Sequence, residues 1–263
     1  MELTNTLLQA KVAVIYGGGG AIGGAVAKAF GLAGAHVFVT DLHEESAEAV
    51  VKEIVAAGGK AEAAVVDVLN PDSVQEHLDK LVSKTGKVDI SFNAMSLPQT
   101  GIQGTPLTML QLDNFTKPIH AYLTGHFLTM AAAGRQMAKQ GSGVLLTITA
   151  SPGETGAPLL GGMGPSWMGI ESLTRDFALE LGPQGVRAVT MRSSGLPETE
   201  TLKTVIGQHA RTLGMTPEAY LEMMRQRTFL HRLPTLGETA NGAVFLVSDM
   251  ASAVSGTSVN FTC

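Results

Sequence analysis

Cysteine, tyrosine and charge are all scarce in this chain of 263 residues. The single cysteine, Cys263, excludes an intrachain disulfide and a cysteine-built zinc site, and it fits a reducing compartment. Charged residues make up 16% of the chain against 44% hydrophobic, the balance of a globular protein rather than a disordered one. A net charge of −5 provides no electrostatic footprint for nucleic acid. Every apolar run is broken well short of the ~20 residues a membrane span needs. The opening MELTNTLLQAK lacks the basic flank and long apolar core of a signal peptide. The seven histidines show no metal spacing, and His120 and His126 project about 120° apart on a helix, so no metal site is expected. These absences point to a cytoplasmic protein with no membrane or nucleic-acid partner. The three tyrosines are Tyr16, Tyr122 and Tyr220, and none has a lysine four residues later.

What is present is a rhythm. KVAVIY (11–16), HVFVT (36–40), AEAAVVDV (61–68) and KVDISFNA (87–94) read as short buried strands, with helical patterns between them. Val50, Val51, Ile54 and Val55 form one apolar helix face, which Gly58 and Gly59 close. Asn70 reads as an N-cap with Pro71 at the first helical position. Strand starts about 25 residues apart are the spacing of βαβ units. The second half continues with a helix over 118–139, a strand over 143–150, a helix over 165–181 and a strand over 186–191. Two helices follow within 198–228, then a helix over 237–248 and a strand over 258–262. The expected fold is α/β: a single Rossmann-like domain over 1–263, with a doubly wound parallel sheet of about seven strands and helices on both faces.

Between the first strand and the first helix lies IYGGGGAIGG, in which Gly18-x-Gly20-x-x-Gly23 fits the dinucleotide fingerprint. Glycines there permit a tight turn and close approach of a pyrophosphate, which the helix N-terminus then attracts. Asp41 ends the second strand about 20 residues on, where a carboxylate binds ribose hydroxyls and repels an added 2′-phosphate. NAD is therefore expected in preference to NADP.

Nearly the whole chain resembles the short-chain dehydrogenase/reductase family. The family loop, Thr-Gly-x-x-x-Gly-x-Gly, is matched by Tyr16-Gly17-Gly18-Gly19-Gly20-Ala21-Ile22-Gly23, with Ala21 in place of the middle glycine. Asp67-Val68 stands where the family contacts adenine. Asn93-Ala94-Met95 stands for the end of its Asn-Asn-Ala-Gly segment. Ser194-Gly195-Leu196-Pro197-Glu198-Thr199 resembles its Pro-Gly-x-x-x-Thr, whose Thr reaches the nicotinamide carboxamide. The resemblance thus implies cofactor contacts from Gly17, Gly19, Gly20, Ala21, Ile22, Asp41, Asp67, Val68, Asn93, Ala94, Met95, Gly195 and Thr199. It also implies a homotetramer or homodimer, and a substrate lid over 196–235.

The family works with Ser, Tyr and Lys, Tyr lying four residues before Lys, and with an Asn on the preceding long helix. Aligned on ESLTR (171–175), the Tyr position falls on Met163, the Lys position on Trp167, the Ser position on Ala150 and the Asn position on Tyr122. Neither Met nor Trp exchanges protons near neutral pH. Tyr122, His126, Ser151 and Glu154 are the local groups that could substitute, each also explicable as packing or loop polarity. Leu202, Val205, Ile206, Leu213, Met215, Leu221, Met223, Met224, Phe229 and Leu230 make the lid apolar, suited to an adaptable pocket for a small apolar molecule or simply to helix packing. Three readings stand. One is an oxidoreductase working without the usual acid–base pair, since proximity supplies ~7–11 kcal/mol and a lost general acid costs ~10²–10⁴-fold. The second is an inactive dinucleotide-binding sensor or scaffold, and the third a non-redox lyase or isomerase on the same fold.

Overall fold

The computed structural model describes residues 6–263. Residues 1–5, the start of the MELTNTLLQAK segment expected to lack a signal peptide, lie outside the described residues. Seven parallel strands form one sheet: β1 (Val12–Tyr16), β2 (His36–Asp41), β3 (Lys60–Val65), β4 (Ile90–Asn93), β5 (Gly143–Ala150), β6 (Val186–Ser193) and β7 (Thr257–Phe261). Their order is β3-β2-β1-β4-β5-β6-β7, so the winding reverses between β1 and β4. A crevice opens at that switch point, outside the carboxyl ends of the strands.

The helices are α1 (Ala21–Leu32), α2 (Glu44–Ala56), α3 (Pro71–Thr85), α4 (Leu112–Gln140), α5 (Pro152–Thr155), α6 (Met163–Leu181), α7 (Glu200–Leu213), α8 (Pro217–Gln226) and α9 (Leu236–Val247). Successive β1 side chains go to opposite faces, as the strand period requires. Ala13 and Ile15 join Val26, Phe30, Ile54 and Leu246 under α1, α2 and α9. Val14 and Tyr16 join Leu78, Leu81, Met130 and Leu145 on the other face. The core thus has two layers, and all five β1 residues are buried in it.

Helix ends follow local chemistry. Asn70 Oδ1 accepts the backbone N–H groups of Asp72 and Ser73, with Pro71 at the first position of α3. Thr199 and Thr216 cap α7 and α8, and Thr235 forms a capping box with Glu238 at the start of α9. Caps of this kind are worth about 1 kcal/mol each.

Four expectations change. The long helix starts at Leu112, so Pro118 lies inside it. A Cβ on Gly162 would come within 2.9 Å of the Pro118 ring, so the proline packs against the entry to α6. Val55 is 54% exposed, because Ala47, Val50 and Ile54 take the buried face of α2. The third strand ends at Val65 on the sheet edge, leaving Asp67 and Val68 in the turn that follows. The segment after β5 is not an open loop but the single turn α5.

Candidate active site

At the end of β1, Gly17 takes a left-handed backbone with φ of 68°. A side chain at Gly23 would place its Cβ 2.2 Å from the Gly17 carbonyl oxygen, so only glycine lets α1 start this close to the turn. Gly20 is the N-cap of α1 and supplies no side-chain acceptor, so the first-turn N–H groups stay free for an anion. Asp41 Oδ2 accepts the Gly19 N–H at 3.2 Å and Oδ1 accepts the His43 N–H at 3.1 Å. The carboxylate is therefore fixed beside the loop. An uncapped helix N-terminus of this kind suits the pyrophosphate of a dinucleotide.

Asn93 and Met95 turn out to be built into the scaffold. Asn93 Nδ2 donates to the Gly125 carbonyl at 3.2 Å and to Thr129 Oγ1 at 3.0 Å, and Asn93 Oδ1 accepts the Met95 N–H at 2.9 Å. These bonds tie β4 to α4. Thr199 Oγ1 accepts the Leu202 N–H and donates to the Leu196 carbonyl, setting the start of α7. Asp67 accepts the Leu69 N–H at 2.9 Å, and Val68 is buried in the core.

A cleft of about 870 Å³ runs from the α1 N-terminus to α7 and α8. Gly20, Ala21, Ile22, Ala94, Met95, Gly195 and Thr199 line it, as do Tyr122, Ala150, Met163 and Trp167. Gly17, Gly19, Asp41, Asp67, Val68 and Asn93 are outside its walls and belong to the neighbouring carboxyl edge of the sheet. Tyr122, Met163 and Ile170 form one apolar cluster with Ile102, against which Trp167, Leu123 and Leu97 pack. The cluster beside α6 is thus apolar apart from the Tyr122 hydroxyl. Burial raises the Tyr122 pKa, opposed by contacts with the Leu97 backbone and the Ser96 and Gln99 side chains. The phenol is a proton holder at neutral pH.

Of the other local groups, His126 and Glu154 are engaged. His126 Nδ1 lies 2.8 Å from the Tyr122 carbonyl, and burial lowers its pKa to about 4. It is outside the cleft walls. Ser151 and Glu154 do line the cleft, but Glu154 is ion-paired with Arg192. In segment 196–235, Leu202, Val205, Met224 and Phe229 face the cleft. Ile206 packs with Met215, Leu221 and Met223 in a small core of that segment's own. Leu213 and Leu230 are exposed.

Two side-chain systems were not visible from motifs. Arg192 on β6 donates through Nε to Glu171 Oε1 at 2.9 Å and through Nη2 to Glu171 Oε2 at 2.6 Å. Its Nη1 donates to Asn260 Oδ1 at 3.0 Å. Burial alone would raise the Glu171 carboxyl, but hydrogen bonds from Arg192 and Thr149 hold it below the usual range. The available signal was an arginine breaking the apolar run of β6. The second system is a polar chain through Gln99, Gln103, His209 and Tyr220 along the cleft. Among the described residues, no group of His, Cys, Asp and Glu could hold a metal, and no helix is long and apolar enough to cross a membrane.

Comparison with known proteins agrees with this architecture. The profile of the family described as "Enoyl-(Acyl carrier protein) reductase" matches residues 19–261. The 7alpha-hydroxysteroid dehydrogenase of Escherichia coli (strain K12) is 33% identical over 96% of this chain and 92% of its own length. A peroxisomal 2,4-dienoyl-CoA reductase of Mus musculus is 28% identical over 95% of this chain and 82% of its own. A solved 7 alpha-hydroxysteroid dehydrogenase, complexed with NADH and 7-oxo glycochenodeoxycholic acid, superposes with a TM-score of 0.85. It is 31% identical and covers 99% of this chain and 96% of the other. The chain belongs to the short-chain dehydrogenase/reductase family.

Proposed function

We propose that this member of the short-chain dehydrogenase/reductase family is an NAD(H)-dependent oxidoreductase that acts on a small apolar molecule without the family's Ser, Tyr and Lys. The observation carrying this reading is the composition of the cleft wall. At the positions assigned to that machinery stand Ala150, Met163 and Trp167, with Tyr122 in place of the Asn, and all four line one cleft with the α1 N-terminus. The cofactor half would be made by Gly17, Gly19, Gly20, Ala21, Ile22, Ala94, Met95, Gly195 and Thr199, with Asn93 and Asp67-Val68 behind it. Asp41, held by Gly19 and His43, favours NAD over NADP.

A bound nicotinamide would supply or accept the hydride. The chain's own task is then to hold the partner close and keep water out, which the Met163, Trp167 and Ile102 surface suits. An activated alkene fits such a wall better than a simple ketone, because the negative charge left by hydride addition is delocalised and needs less proton assistance. Tyr122, kept protonated by burial, is positioned to donate a hydrogen bond or a proton to that substrate. The family profile and the mouse relative both carry the names of enoyl or dienoyl reductases, which supports an alkene substrate.

The second reading, a dinucleotide-binding sensor or scaffold, draws on the same substitutions. Of the acid–base candidates, Glu154 is ion-paired and His126 is buried outside the cleft walls. A non-redox lyase or isomerase is the third. Segment 196–235 is proposed as the lid. The exposed Phe127 of α4 and Leu179 of α6 offer an apolar face for a homodimer or homotetramer. The deciding experiment titrates NADH and NADPH into the protein by fluorescence, then follows nicotinamide absorbance with activated alkenes and with secondary alcohols. Tighter NADH binding with alkene-dependent absorbance change is expected. Binding without any absorbance change would favour the sensor, and turnover without cofactor consumption would favour the non-redox catalyst.

A further inference from the structure

The polar chain along the lid side of the cleft has a direction, and elimination fixes it. The Leu97 carbonyl can only accept, and it lies 2.6 Å from Gln99 Nε2, so the Gln99 amide nitrogen must face it. Gln99 Oε1 therefore faces Gln103, whose Nε2 donates at 2.8 Å. That turns Gln103 Oε1 toward His209 Nε2 at 3.2 Å, so His209 carries its proton on Nε2. His209 Nδ1 is then a bare lone pair, and the Tyr220 hydroxyl 2.8 Å away must donate to it. Burial lowers the His209 pKa, which keeps the ring in this neutral form at pH 7.

Tyr220 has spent its only proton on His209. Its oxygen retains lone pairs and no donor. Gln103, His209 and Tyr220 all line the cleft and are all buried. The Tyr220 oxygen thus offers acceptor capacity alone, beside the Arg227 guanidinium that also lines the cleft, and it discriminates between ligands because an acceptor group placed against it leaves two unpaired oxygens in a low-dielectric space.

We infer that Tyr220 Oη is the acceptor for a substrate hydroxyl, so that the lid end of the cleft selects apolar molecules carrying a hydrogen-bond donor remote from the reacting carbon. The inference rests on the reading of the cleft as a substrate site. Tyr220 touches the ligand, and His209 is a positioning residue that aims the phenol proton away from it.

The test uses three apolar probes of similar size: 2-naphthol, which donates, and 2-methoxynaphthalene and 2-acetonaphthone, which only accept. Binding to the intact protein is followed by ligand-observed NMR in the presence of NADH. The expected result is a preference of about tenfold for 2-naphthol, the worth of one such hydrogen bond. In Tyr220→Phe that preference falls to about unity while 2-methoxynaphthalene binding is unchanged. In His209→Leu the phenol proton is released to the cleft, and 2-acetonaphthone binding rises. A purely structural histidine would not produce that inversion. Equal binding of the three probes by the unsubstituted protein, absence of binding by any of them, or survival of the 2-naphthol preference in Tyr220→Phe overturns the inference. NADH titration of the same samples reports on the cofactor half separately. Retained NADH binding with no probe preference thus fails this inference alone, whereas loss of NADH binding fails the functional reading.

Discussion

The wall at the end of β1 is made of backbone, whereas the wall at the ends of β5 and β6 is made of side chains. The first is the uncapped N-terminus of α1, set from behind by the Gly17 turn and the close approach enforced by Gly23. The second consists of Ala150, Trp167, Met163, Arg192 with Glu171 paired behind it, and side chains of segment 196–235. Recognition through N–H groups survives replacement of neighbouring side chains, so Tyr16 and Ala21 can replace the residues expected in the loop while its geometry persists. Chemistry carried by hydroxyl and ammonium groups has no such tolerance.

The strongest way to break the comparison is to rebuild the side-chain wall. Unsubstituted protein should turn over simple secondary alcohols and ketones slowly or not at all. Met163→Tyr with Trp167→Lys and Ala150→Ser should raise that rate by about 10²–10⁴-fold, the usual worth of a general acid–base group. Steady-state nicotinamide absorbance with an alcohol panel measures it, and brisk turnover by the unsubstituted protein would remove the premise.

Next in size is the buried ion pair. Glu171→Gln leaves Arg192, only 6% exposed, without its bidentate partner. Stability should fall on the order of 3 kcal/mol, read as a lower urea midpoint. NADH affinity, set at the other wall, should change little. An equal loss of both would mean that the walls are not separable.

Acid should weaken the core behind the backbone wall. Burial lowers the pKa of His77 and His126 from 6.5 to about 4 in the folded chain. The unfolded chain takes up those protons first as pH falls, so stability present above pH 6.5 is lost progressively toward pH 4. The loss is on the order of 3 kcal/mol for each histidine. Urea midpoints measured across that range should slope downward, and His126→Gln should flatten the slope. A flat profile in the unsubstituted protein would show that neither ring is held neutral by burial.

The smallest effect concerns Asp41. Asp41→Ser removes the carboxylate while keeping a hydrogen-bonding group. NADH should bind about tenfold more weakly, and the difference between NADH and NADPH should narrow in parallel fluorescence titrations. Unchanged discrimination would assign cofactor choice to another residue.

The sequence by itself determined the seven strands, their alternation with helices and the glycine turn. Each is a local signal: apolar runs of strand length, helical periodicity, Asn70 before Pro71, and glycines where a left-handed or crowded backbone requires them. It also determined that no tyrosine precedes a lysine by four residues. Boundaries slipped where packing overrode local preference, as at Pro118, which the α6 entry accommodates, and at Val55, which three better-placed neighbours displaced from the core. Only the tertiary structure decided which polar groups meet. Gln103 and His209 are separated by 106 residues, and Arg192 lies 21 residues from Glu171 and 68 from Asn260. No periodicity records such pairs, because the sheet order and the folding back of α7 and α8 bring them together. Burial then makes each hydrogen bond obligatory and so sets which atom donates and which accepts.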